Sequence, residues 1–136
     1  MNAQNTANAY KIQQIMTASP EQLTLLLYNG ALRFIDESIL ALECKDYPKS
    51  HERNLRAQDI VTEFMATLDM RLEISGTWLS LYDYIRDRLV QGNIKKDREL
   101  LSEARSLLHE LRDTWVEAMM KVRQEKLLSY QQAVVL

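Results

Sequence analysis

Apolar residues recur along this chain at the spacing of α-helices. Leu23, Leu27, Ala31, Phe34, Ala41 and Leu42 share one helical face, and Leu25, Tyr28, Leu32, Ile35 and Ile39 form a second face beside it. Ala57, Ile60, Val61, Phe64, Met65, Leu68 and Leu72 follow the i, i+3, i+4 rule. So do Trp78, Leu81, Tyr82, Ile85 and Leu89, and then the long stripe from Leu100 to Val122. This predicts four helices: residues 19–44, 49–74, 77–91, and about 100 to 128. Ser19-Pro20-Glu21-Gln22 reads as a strong start, with Ser19 as cap, Pro20 where no N–H is needed, and Gln22 closing a capping box. "KDYPKS", "SGT" and Gly92-Asn93 supply the breaks. Gly30 falls inside the first helix, where it suits close approach of a neighbouring helix.

Short connections make successive helices antiparallel neighbours. The expected fold is therefore all-α: an antiparallel up-down four-helix bundle over residues 19–128. A mobile N-terminal leader over 1–18, a tail over 129–136, and at most a short extra helix at one end complete it. Three glycines and two prolines are too few for a turn-rich β fold.

The leader is the anomaly. "ANAYKIQQIMTASPEQL" places Tyr10, Ile12, Ile15 and Met16 ahead of the first predicted helix, in an otherwise polar stretch. The first helix is anomalous too. Its two apolar faces cover roughly 200° of the cylinder, where a bundle helix needs one stripe a little over 100° wide. The third helix carries a milder excess, with Leu79 and Val90 on one flank around Arg86, and Tyr84 on the other. A large apolar surface marks an interaction site, and an amphipathic segment laid into a groove is a common mode of recognition. Tyr10, Ile12 and Ile15 are read as a lid over such a groove. Leu25, Tyr28, Leu32, Leu79, Tyr84 and Arg86 are its candidate lining. Trp78 and Trp115 are assigned to the core.

Other chemistries find little support. The net charge of -2 and one short basic run, interleaved with acids, give no surface for nucleic acid. Cys44 is the only cysteine, so no intramolecular disulfide is expected, which fits a reducing cytoplasm. The longest apolar run, "LLLY", is far too short to span a membrane. His51 and His109 belong to no metal-binding or catalytic motif, and no phosphate-binding glycine loop or nucleophile elbow occurs. No enzyme activity, metal, cofactor or small-molecule substrate is expected.

Three stretches together, "TASPEQLTLLLYNGALRFI", "LYDYIRDRLVQGNIKKD" and "ELRDTWVEA", resemble the flagellar export chaperones of the FliS family. Tyr10 ahead of Ser19 is similar to the family's leader, and the likeness extends over about residues 8–122. Gly92 departs from the alanine that family members often have. The resemblance implies an antiparallel helical bundle in the cytoplasm that binds the C-terminal segment of flagellin. It also implies that the chain prevents premature polymerisation and assists delivery to the flagellar type III export gate. On this view the leader occupies part of the flagellin site when that site is empty. A helical adaptor for another amphipathic partner is the alternative.

Overall fold

The computed structural model describes residues 3–135, and these form five helices: α1 (Ala3–Thr17), α2 (Pro20–Glu43), α3 (Tyr47–Thr67), α4 (Ser75–Lys95) and α5 (Arg98–Val135). The all-helical expectation holds. The helix boundaries differ from the periodicity in four places.

The leader, expected to be a mobile segment, is the additional helix α1, and none of its residues is buried. It ends because Ser19 precedes a proline, which disfavours helical backbone at that position. Ser19 and Gln22 then open α2 as the sequence predicts: Gln22 N donates to Ser19 Oγ at 3.2 Å, and Ser19 N to Gln22 Oε1 at 3.0 Å.

The second predicted helix stops seven residues early. α3 ends at Thr67 and Leu68 turns to extended backbone. Asp69 explains the stop. Its carboxylate accepts the backbone N–H of Arg71 at 3.1 Å and two guanidinium bonds at 2.9 Å, while Ser75 Oγ donates to Asp69 O at 2.6 Å. A short carboxylate side chain that captures a local N–H competes directly with the helical ladder. Apolar spacing cannot report that competition.

Gly92 does not end its helix. α4 runs to Lys95, and Lys96 provides the left-handed cap with φ 54°. The predicted tail is also helical, since α5 continues without a break to Val135. Leu136 lies outside the described residues.

Contacts divide the chain into two units, residues 28–112 and residues 1–27 with 113–136. The interior of the first is made by four helices. Tyr28, Ala31, Ile35 and Ile39 of α2 meet Ala57, Val61 and Phe64 of α3, Tyr82, Ile85 and Leu89 of α4, and Leu101, Ala104 and Leu108 of α5. The polar residues buried there, Ser38, Ser50, Asn54 and Ser75, are paired, as an interior demands. Ser38 and Ser50 each donate to the other's backbone carbonyl at 2.8 Å. Asn54 Nδ2 donates to Leu89 O at 3.1 Å, and its Oδ1 accepts from Gln58 at 2.7 Å.

A polar ladder sets the register of α2 against α5. Arg112 bonds Asn29, Arg105 bonds Asp36 and Arg98 bonds Glu43. Each step is seven residues on both helices, the repeat at which two helices keep the same faces together. The last two are exposed ion pairs, worth about 1 kcal/mol or less each.

Candidate functional site

In the unit of residues 1–27 and 113–136, large apolar side chains remain exposed. On α1 these are Tyr10, Ile12, Ile15 and Met16; on the second half of α5 they are Met120, Val122, Leu127, Leu128, Tyr130 and Val134. Isolated helices shorter than about 12–15 residues are marginal in water, so a 15-residue helix with no buried residue gains little from its own surroundings.

The same unit holds an open cleft of about 380 Å³ between the first turn of α2 and the middle of α5. Trp115, Ala118, Met119 and Val122 supply its apolar lining. Trp115 Nε1 donates to Glu21 O at 3.2 Å, which fixes the indole and satisfies its one polar group. Arg123 and Lys126 lie farther along α5 at the cleft, on the order of 12 Å or more along the helix axis from Trp115. Trp115, assigned from the sequence to the core, is thus half-buried and lines an accessible surface. The signal for it was the length of the apolar stripe on α5, which continues to Val122.

The other sequence candidates separate into two groups. Tyr28 and Leu32, expected to line an open groove, are 1% and 6% exposed and belong to the core. The correction has a simple cause. Tyr28 packs tilted against Phe64 with ring centroids 4.6 Å apart, Phe64 stacks on Tyr82 at 5.5 Å, and Tyr28 and Tyr82 join their hydroxyls. The second apolar face of α2 is therefore largely consumed by α3 and α4.

Leu25 and Leu79 are half-buried. Tyr84 is exposed, and its hydroxyl donates to Glu103 of α5 at 2.7 Å beneath the Arg88 guanidinium, which sits 5.2 Å from the ring. The bond to the Glu103 carboxylate, more than any burial, raises the Tyr84 phenol above its ordinary range. Arg86 turns the other way, toward α3, with Asp83 at 3.2 Å and Thr62 at 3.4 Å. Tyr84 and Arg86 thus occupy the opposite flanks of α4 that the helical period predicts.

No group of three or more histidine, cysteine, aspartate or glutamate side chains among the described residues is placed to hold a metal ion. No described helix is long and apolar enough to cross a membrane. Apolar surface is what this molecule offers. Comparison with known proteins gives that surface a context, because residues 3–122 match the family described as flagellar protein FliS. The chain belongs to the FliS family. Relatives named flagellar secretion chaperone FliS include that of Bacillus subtilis (strain 168), which is 38% identical over 126 residues, covering 93% of this chain and 95% of the relative. The Salmonella typhimurium protein is 33% identical over 104 residues, 74% of this chain and 77% of its own length. The Vibrio cholerae protein is 26% identical over 104 residues, 75% and 76% of the two chains. FliS is a family of chaperones of flagellum assembly and not of enzymes.

Proposed function

We propose that this chain is a cytoplasmic export chaperone that binds the C-terminal segment of flagellin one-to-one, keeps it from polymerising prematurely, and assists its delivery to the flagellar type III export apparatus. Membership of the FliS family supports the reading. The observation that carries it is the run of large apolar side chains left exposed on α1 and the second half of α5.

The chemistry is surface substitution. A guest segment whose apolar face is buried only in a finished filament needs a temporary partner, and a helical groove supplies one. Ordering the segment costs about 2–5 kcal/mol or more, which limits affinity and so permits release at the export gate. The architecture that suits this role is an antiparallel up-down bundle of α2 to α5, and the opposed order of the ladder from Asn29–Arg112 to Glu43–Arg98 supports it.

Tyr10, Ile12 and Ile15 serve as lid over the flagellin site. Leu25, Leu79, Tyr84 and Arg86 are the accessible candidates for contact with flagellin, Tyr84 and Arg86 on opposite flanks of α4, whereas Tyr28 and Leu32 are buried. The test is titration of the purified chain with flagellin from the same cell and with flagellin lacking its C-terminal segment. A one-to-one complex with the first and none with the second is expected. Equal affinity for both would refute the proposal.

A further inference from the structure

We propose that the cleft beside Trp115 is an anchor pocket for the guest, taking one bulky apolar side chain from an amphipathic segment that carries a carboxylate about two to three helical turns away. This deepens the chaperone reading and rests on it for the guest's identity.

The lining argues for the apolar side chain. Ala118 leaves room, Met119 adapts to irregular shapes, and Trp115 offers ring surface with its N–H already bonded to Glu21 O. A volume of about 380 Å³ falls at the small end of the range of roughly 300–1,000 Å³ for binding pockets. It suits an anchoring side chain better than a whole helix.

The rim argues for the carboxylate. Arg123 and Lys126 are three residues apart, hence neighbours on one face of α5. Both are exposed, and among the described residues neither forms an ion pair. Two adjacent cations without a counter-ion repel each other, so an incoming anion gains twice.

The same charge pattern decides between occupants. The one charged side chain in α1 at neutral pH is Lys11, so the leader brings a like charge to this rim. The pocket therefore fits an acidic guest and not the chain's own first helix.

The test uses the full chain carrying Trp78→Phe, which leaves Trp115 as the sole tryptophan. The probes are a synthetic amphipathic 18-residue peptide with a leucine stripe flanked by glutamates, its glutamate-to-lysine twin, and purified flagellin. The glutamate peptide should shift Trp115 emission and the lysine peptide should not. Arg123→Glu with Lys126→Glu should weaken the glutamate peptide about tenfold and reverse the preference. Ala118→Phe, at an exposed helix position that tolerates the larger side chain, should weaken flagellin about thirtyfold by filling the pocket. If flagellin binds these variants as tightly as the parent, the pocket is overturned and the chaperone reading stands. If flagellin does not bind the parent while the glutamate peptide still discriminates, the chaperone reading falls and the pocket stands. Equal binding of both peptides overturns the charge rule.

Discussion

The hydroxyls of Tyr28 and Tyr82 lie 2.5 Å apart in the interior, on helices α2 and α4. Each satisfies the other, and both rings pack against Phe64. Removing one partner leaves the other buried and unpaired. Tyr28→Phe should therefore cost about 1–3 kcal/mol, whereas Tyr28→Phe with Tyr82→Phe should recover most of that loss. Urea denaturation of the two single variants and the double variant measures the coupling.

The pair also predicts a pH dependence. Burial, as the largest cause, raises both phenols above their ordinary value, and the shared hydrogen bond raises Tyr28 further while opposing the rise at Tyr82. Below about pH 10 the folded and unfolded chains hold these protons equally, so the pair contributes its full stability there. As pH rises past that value the unfolded chain releases phenolic protons that the folded chain retains. Stability should then fall with pH. Denaturation at pH 8 and pH 11 should show a larger loss for the parent than for the double phenylalanine variant. An equal loss would assign the alkaline sensitivity to other groups.

The two interior glycines should respond to alanine in opposite directions. A Cβ at Gly30 would meet only Ile60 Cδ1, at 3.7 Å, an ordinary contact. The close approach expected from the sequence is thus looser than a glycine requires. Gly30→Ala should stabilise by up to about 1 kcal/mol through helix propensity. A Cβ at Gly92 would stand 2.7 Å from Leu101 Cδ2 and 3.2 Å from Leu100 Cβ. Leu101 is 1% exposed and has little freedom to move. Overpacking of about 1–3 kcal/mol should outweigh the propensity gain, so Gly92→Ala destabilises. Adding Leu101→Val should reverse part of that loss, and thermal melts of the three variants check the order.

Deleting residues 1–16 should leave the melting of the remaining chain cooperative and its midpoint nearly unchanged. α1 buries no residue, so its removal forfeits almost no apolar contact. Circular dichroism would lose the signal of about one 15-residue helix. A collapse of the whole transition would show that α1 carries core contacts, and the lid role for Tyr10, Ile12 and Ile15 would go with it.

The periodic stripes located α2, most of α3, α4 and α5, because an amphipathic face is a local property that spacing alone reveals. The capping box at Ser19 was legible for the same reason: its four residues bond among themselves. The opposite flanks of Tyr84 and Arg86 also followed from the helical period. The end of α3 did not, since Asp69 competes with the helix through a bond that apolar spacing does not register. Nor could spacing tell which of the apolar faces on α2 would be covered. Tyr28 and Leu32 on α2 and Trp115 on α5 all read as apolar helical positions. Whether each ends up sealed or open depends on where other helices stop.

By itself the sequence determined the helical class, the chief breaks and the family, because each is written in local pattern or in residue order. Only the tertiary structure decided that Tyr28 and Leu32 are interior and that Trp115 opens onto a cleft. Burial is a property of neighbours distant along the chain: α3 and α4 cover the middle of α2, while large apolar side chains on the second half of α5 stay exposed.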